Sequence, residues 1–568
     1  MSWRDIHCGE IRKEKVGKRL TVAGWVDTRR DHGGLVFVDL RDHTGKIQLV
    51  LKASDAAHEL RNEFVVQAEG EVVARAPEAV NPNLATGEVE IQVESLRILS
   101  RSTPLPFQLD EENVDETLRL RYRWLDMRRD RMQRNFRLSH TAVAGIRRTM
   151  DELGFVDVWT PSMTRGTPEG ARDFLVPVRL QPGKFFALAQ SPQLFKQLCM
   201  VGGFDRYYQI ATCWRDEDLR ADRQFEFRQL DLEMAFVERE EVLHVMEAAV
   251  VGAFEAIGRP SPPRPFPRIS FDEAMARYGS DKPDLRFGME IQDATAVTRD
   301  SEFGVFKNAP CVRYIVVPRT FSRTEHQRLE ELAKEWGAKG VAMLSQVSKF
   351  LSDEELAAFA VPEGSTGLFV ADREPVVAKV LGLLRLHLAR ELELIDTERD
   401  VFHWVLEFPL FEQDADTGEW TFMHHAFTAP VAGQEVWDES NPAAVRGQHY
   451  DLIWNGWELG SGSIRIHDVE VQERVFRTIG LTDEEARSKF GFLLEALAMG
   501  APPHGGFAMG IERFVALLAG EPDIRQIIAF PKVSSGADPL TGAPTRMPDE
   551  VLRESGIVAI PQEDSSPA

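Results

Sequence analysis

Between Tyr207 and Phe236 the chain reads YYQIATCWRDEDLRADRQFEFRQLDLEMAF. Arg215, Arg220 and Arg223 alternate there with Asp216, Glu217, Asp218 and Asp222, and Phe225 and Phe227 follow. A charge run of this kind is ordinarily a solvated tip. Here the charges continue through Glu226, Arg228, Asp231 and Glu233 into a stretch that alternates like a strand. A phosphate needs arginine forks, an adenine needs a flat apolar surface, and an ammonium needs a carboxylate. All three are present in one hairpin.

Other stretches carry chemistry of the same kind. Asp451 and Glu458 stand seven residues apart beside Gly460-Ser461-Gly462-Ser463-Ile464-Arg465, and two such carboxylates next to a nucleotide can hold magnesium through oxygen and water. Gly505-Gly506 leads through Gly510-Ile511-Glu512 to Arg513 on the first turn of a helix, with Phe507, Ile511, Phe514, Val515 and Leu518 as the buried stripe. Arginine fixed at such a junction suits a phosphate. In Gln190-Ser191-Pro192-Gln193-Leu194-Phe195-Lys196, Ser191 reads as a helix N-cap with proline at the first helical position. Lys196 on that helix would ordinarily face solvent. His424-His425 invites a metal reading, but adjacent histidines project differently and no third ligand stands at zinc spacing, so zinc is set aside.

The elements that hold these groups are legible in outline. Five strand patterns, at 20–26, 35–40, 47–51, 63–74 and 87–99, fill about the first hundred residues with little helix, which predicts a small barrel of the OB-fold kind. Its nucleic-acid face would carry Phe37 and Gln48, with Arg29 and Arg30 leading in and His32 in the loop before Gly33-Gly34. Pro104 and Pro106 end it, and an arginine-dense hinge follows to residue 137. A helix is expected over 138–153 with Gly154 as its C-cap, then a strand at 155–159 stopped by Pro161. The PSPPRPFP run at 260–267 reads as a linker. The composition changes over about 289–405, where strands and helices carry no chemical motif, and the catalytic pattern resumes near Trp404. The end of the chain reads mostly as loop.

Composition narrows the class. With 568 residues, two to four domains are expected. No apolar run approaches a membrane span and no signal-peptide pattern opens the chain, which together predict a cytoplasmic protein. Cys8, Cys199, Cys213 and Cys311 are scattered without a CxxC pair, arguing against a structural zinc or a disulfide framework. The formal charge of −23 argues against indiscriminate nucleic-acid binding. Yet residues 118–148 hold ten Arg against two Asp, a stripe that can hold a polyanion in one chosen place.

The block RDEDLRADRQ…EF.QLD.E resembles the second signature motif of class II aminoacyl-tRNA synthetases, and from Gly24 to about Pro544 the chain looks like their bacterial aspartyl branch. The resemblance implies a multidomain architecture: an OB-fold anticodon-binding domain over 1–104, a hinge over 105–137, and an antiparallel-sheet catalytic domain with helices over 138–288 and 406–568. An inserted α+β domain of bacterial type would span 289–405. The helix and strand at 138–161 resemble the first motif, which builds a homodimer interface, and the Arg513 segment resembles the third.

The implied reaction is ligation of L-aspartate to tRNA through an aspartyl-adenylate, with ATP and Mg2+. Arg215, Glu217 and Arg513 would be catalytic. Asp216, Glu217, Gln224, Phe227, Glu458, Gly510, Ile511, Glu512, Arg215 and Arg513 would hold ATP, and Asp451 and Glu458 the magnesium. Aspartate would meet Glu169, Ser191, Gln193, Lys196, Arg215, Asp231, Arg465 and one of His424 and His425. Arg30, His32, Phe37 and Gln48 would read the anticodon of tRNA(Asp). Phe225 and Arg228 depart from the proline and small polar residue of that pattern. His32 stands where forms restricted to tRNA(Asp) carry leucine, and it resembles the form that also charges tRNA(Asn). An amide ligase on the same catalytic fold, and the asparaginyl and lysyl enzymes, are the alternatives. The barrel with its hinge argues against the first, and Lys196 with Arg465 against a cationic substrate.

Overall fold

The computed structural model describes residues 3–166, 170–414 and 417–560. The chain forms two compact units, residues 1–135 with 538–541, and residues 136–537 with 542–568.

In the first unit five strands close a barrel: β1 (Arg19–His32), β2 (Leu35–Asp42), β3 (Gly45–Lys52), β4 (Val65–Ala74) and β5 (Val89–Ser100), in the order β1-β2-β3-β5-β4. The OB-fold expectation holds. Burial alternates along the strands, with Val22, Val26, Val36, Val38, Leu40, Ile47 and Leu49 inside. His32 lies in no loop, because β1 runs unbroken through Arg29, Arg30 and Asp31 to His32. Gly33 and Gly34 alone make the turn, both at positive φ, the backbone a two-residue hairpin turn requires. Past the barrel the hinge is largely helical, with Glu116–Arg121, Arg123–Asp126 and the start of the helix Asp130–Glu152. That helix begins eight residues before the predicted start, and Gly154 at φ +79° follows its end.

The second unit is built on an eight-stranded sheet. Its strands are β6 (Val156–Asp157), β7 (Arg206–Trp214), β8 (Glu226–Ala235), β9 (Arg268–Ser270), β10 (Phe402–Leu406), β11 (His449–Trp454), β12 (Trp457–Ile464) and β13 (His504–Gly510). The order is β9-β10-β11-β12-β13-β8-β7-β6. The six central strands run antiparallel, but each edge adds a parallel pair, β9 with β10 and β6 with β7. Parallel neighbours need long crossovers, and the chain supplies them over 158–205 and 271–401. The predicted strand at 155–159 is only the two residues of β6, and Phe507 belongs to β13, ahead of the helix whose stripe it was read into. The stretch at 260–267 reads as a linker only in part, since Phe266 is buried in the main core and stacks on Phe402. The helix Arg239–Ala256 packs on the sheet through Val242, Met246, Ala249 and Phe254.

Residues 292–372 form a separate four-stranded sheet, with the helix Glu374–Glu391 against it. Trp404, read as the start of the resumed catalytic pattern, lies inside β10 of the main sheet. The end of the chain includes a short helix, Asp549–Glu554.

Candidate active site

The site starts from the period of two. Asp231 and Glu233 on β8 face one side of the sheet, and so do His449 and Asp451 on β11. Strand register sets them in two rows. Gln209, Asp231, Ala508, Ser461 and Asp451 lie opposite one another across β7, β8, β13, β12 and β11. The second row is Tyr207, Glu233, Gly506, Ser463 and His449. Between Asp231 and Asp451, and between Glu233 and His449, stand only glycine, alanine and serine, so the sheet leaves a trough. Glycine is required at 506, where an added Cβ would sit 1.9 Å from Glu233 Oε2.

Two cations descend onto this floor. Lys196, on the helix Gln193–Val201, is 1% exposed. The solvent-facing default fails because its Nζ lies 2.6 Å from Asp231 Oδ1 and 3.4 Å from Glu233 Oε2. Arg465, just past β12, donates through Nε and a terminal nitrogen to both Glu233 oxygens at 2.9 and 3.2 Å. Its other terminal nitrogen meets Ser463 Oγ and His425 Nε2, each at 2.7 Å. Burial alone would raise the Glu233 carboxyl, but Arg465 and Lys196 hold it below its ordinary range. Asp231 stays raised by burial, which Lys196 only partly offsets. Asp231 Oδ2 and the Tyr207 hydroxyl are buried without a partner of hydrogen-bond geometry. Ser191 Oγ accepts from the Gln193 backbone N–H at 3.2 Å, while the cap position itself falls on Pro192, one residue later than expected.

The two histidines differ. His425 meets Arg465, and burial with that guanidinium pushes its pKa well below the ordinary value. His424 stacks on His449, ring centroids 3.3 Å apart and planes 8° from parallel, and burial drives its pKa down to about 3. His449 Nε2 lies 2.7 Å from Asp451 Oδ1. Burial pushes Asp451 up to about 6, and burial together with Asp451 raises Glu458. Two oxygens short of positive charge fit a divalent cation such as Mg2+.

At the other end, Arg215 lies 5.0 Å over the Phe227 ring. Gln224 exchanges two hydrogen bonds with the backbone of Lys532, at 3.1 and 2.8 Å. Arg513 donates to the Glu458 carbonyl at 2.6 Å and to Asp222 at 3.1 Å. Glu512 is buried and accepts from the Arg228 backbone N–H and guanidinium at 2.9 and 2.8 Å, so the departure at Arg228 serves to tie the hairpin to the helix after β13. Phe225 packs edge-on against Phe174 at 5.3 Å.

One cavity of about 1060 Å3 joins both ends. Of the candidate substrate, nucleotide and metal residues described, it is lined by all but Asp216, Ile511 and Asp451. Ile511 is buried at the helix start, and Asp451 is reached through His449. Glu169 lies outside the described residues. Glu233, His449 and Lys282 were not singled out from the sequence, though Glu233 and His449 each stand two residues from a chosen carboxylate. Lys282 Nζ comes within 3.8 Å of Glu458 Oε2. Arg385 holds the Lys282 loop by donating to the carbonyls of Asp284, Phe287 and Gly288.

The barrel residues belong to the first unit and form their own group. Arg30 pairs in register with Phe37 and donates to Asp39 at 2.9 Å and Gln48 at 3.5 Å. His32 meets the Phe37 ring edge-on at 5.9 Å. Phe37 is half-buried on the outer face, so it is no part of the barrel core.

The family model for class II tRNA synthetases (D, K and N) matches residues 115–534, and that for the OB-fold nucleic acid binding domain matches 20–99. The chain belongs to the class II tRNA synthetases. Within them it stands with the aspartate branch. It is 48% identical to an aspartate–tRNA ligase of Geobacillus kaustophilus, covering 99% of this chain and 100% of that one. It is 46% identical to an aspartate–tRNA(Asp/Asn) ligase of Natranaerobius thermophilus, covering 97% and 98%. The crystal structure of asparaginyl-tRNA synthetase from Pyrococcus horikoshii has the same fold, with TM-score 0.59 and 20% identity over 93% of this chain and 97% of that one.

Proposed function

We propose that this chain joins L-aspartate to tRNA(Asp), and also to tRNA(Asn), through an aspartyl-adenylate. The observation that carries this reading is the buried set Lys196, Asp231, Glu233 and Arg465 at the floor of the cavity. Within the set two cations balance two carboxylates. An incoming side-chain carboxylate accepts from the Arg465 nitrogen that otherwise faces His425, a charge-assisted contact. Asparagine would present an NH2 group to that donor, and lysine a second cation. Sites built on a buried polar partner discriminate by about 10^4 or more. Asp231 Oδ2, buried beside the Tyr207 hydroxyl, takes the α-ammonium, with Gln193, Ser191 and Glu169 assisting.

The α-carboxylate is already a nucleophile at neutral pH. Its oxygen bonds to the α-phosphorus of ATP as the bond to pyrophosphate breaks, so the site must position and neutralise. Arg215 leaves Phe227 for the α-phosphate, freeing the ring face for adenine, while Gln224 and Glu217 hold the base end. Arg513 and Lys282 flank the pyrophosphate end beside Glu458. Asp451 and Glu458 would hold Mg2+, which when bound neutralises the phosphate oxygens. The terminal 3′-hydroxyl of tRNA then attacks the acyl carbon and AMP leaves.

Arg30, Phe37 and Gln48 meet the anticodon, where base stacking contributes about 1–3 kcal/mol per base. His32 at the strand end tolerates either base at the position that separates the two tRNAs, because an imidazole nitrogen can donate or accept. The test is aspartylation of both transcripts by wild type and His32→Leu. Wild type should charge both, and the leucine variant should favour tRNA(Asp). Charging of tRNA(Asp) alone by wild type would remove tRNA(Asn) from the function, and an unchanged ratio in the variant would remove His32 from the choice.

A further inference from the structure

We infer that Gln197 and His504 are positioning residues for the amino-acid substrate: a buried hydrogen-bond relay runs from the Pro502 carbonyl through both to Gln193, and it fixes which end of the Gln193 amide meets the α-ammonium. In the proposed function Gln193 assists Asp231 at that ammonium, and the relay rests on that reading. Gln193 and Gln197 stand four residues apart on the helix Gln193–Val201, so one helix face brings both amides down together. Gln197 and His504 are wholly buried, and Gln193 lines the cavity. Gln193 Nε2 lies 3.2 Å from Gln197 Oε1, and Gln197 Nε2 lies 3.2 Å from His504 Nε2. His504 Nδ1 lies 2.8 Å from the Pro502 carbonyl oxygen.

One member of this row has a role that cannot be reversed. A backbone carbonyl accepts and never donates, so His504 Nδ1 carries a proton. Burial holds the His504 pKa below its ordinary value, against the pull of Glu233, and the ring is neutral at pH 7. Its Nε2 is then a lone pair, which takes a hydrogen from the Gln197 NH2 group. The Gln197 oxygen is left to accept from the Gln193 NH2 group. What remains for the substrate is the Gln193 oxygen. The two ends of an amide are nearly the same in size, and only hydrogen bonding tells them apart. Oxygen toward an ammonium makes a charge-assisted contact. The reversed amide would set NH2 against the ammonium, donor against donor. Neither Gln197 nor His504 needs to touch the substrate to exert this choice.

The experiment is amino-acid-dependent ATP–pyrophosphate exchange by the full chain. The variants are Gln197→Met, His504→Phe, Gln193→Ala, and Gln193→Ala combined with each of the first two. Methionine and phenylalanine keep most of the buried volume. A melting curve on each variant checks the fold, and either relay variant closes the cycle if the other fails to fold. Gln197→Met and His504→Phe should each raise KM for aspartate about tenfold and leave KM for ATP within about twofold. With Gln193 already alanine, neither should raise KM for aspartate further by more than about twofold, because the relay reaches the substrate only through Gln193. A further rise of about tenfold in that background would overturn the relay. So would an unchanged KM for aspartate in the single variants, or equal losses for aspartate and ATP, which mark a merely structural role. The α-ammonium is common to the amino acids, so the cycle is read with whichever one drives exchange in wild type. Exchange with asparagine alone would overturn the proposed substrate, while the same cycle would still decide the relay. No exchange with any amino acid would overturn both.

Discussion

Removing the guanidinium of Arg465 leaves Glu233 buried against Lys196 alone, and breaking a buried pair in this way costs about 3–5 kcal/mol. Arg465→Leu therefore confounds folding with binding, and Arg465→Lys is the sharper variant. It keeps the charge but loses the fork that spans Glu233, Ser463 and His425. Its kcat/KM for aspartate should fall by about 100-fold or more while KM for ATP moves little. An equal loss for both substrates would assign Arg465 a phosphate or purely structural role. The adjacent histidines divide by the same logic. His425→Ala, removing the imidazole against Arg465, should raise KM for aspartate more than His424→Ala does. The reverse order in steady-state kinetics would exchange their roles. These residues were partly legible. Asp231 stood out through its motif, and Glu233 could have followed from the period of two. Nothing local marked Lys282 or Arg385, whose contacts cross from one segment to another.

Strand β10 carries a titration with a definite sign. His403 lies fully buried in it, neither ring nitrogen has a partner, and burial pushes its pKa down to about 4. The unfolded chain binds a proton below about pH 6.5 and the folded chain does not until about pH 4, so stability falls as pH falls through that window. Each unit costs up to about 1.4 kcal/mol. Between pH 7 and 5, wild type should lose about 2 kcal/mol more than His403→Leu in denaturant unfolding. Parallel curves for the two proteins would show that His403 takes up its proton in the fold. Elements were legible where one pattern decided them: the five barrel strands, the Asp231 hairpin and the Arg513 helix were all anticipated. They were misjudged where a neighbour decided. The charged residues before His32 suggest a loop, whereas pairing with β2 keeps β1 extended to the turn.

For the whole molecule, the β6 region presents an exposed apolar surface. Val156 is 49% and Trp159 85% exposed at the end of a long helix. With the resemblance of this segment to the first motif, a second copy of the chain is the expected cover, through an interface of about 1,200 Å2 or more. Light scattering should give a dimer mass, lost in Trp159→Glu. A monomer mass at all concentrations would refute the assembly. Among the described residues no helix is long and apolar enough to cross a membrane. In the proposed reaction the buried charge set chooses aspartate before any tRNA is present. ATP–pyrophosphate exchange with purified protein, without tRNA, across aspartate, asparagine and lysine tests that most directly. Exchange should appear with aspartate and be lower by about 10^4 in kcat/KM with asparagine. Exchange driven by asparagine or lysine, and absent with aspartate, would contradict it.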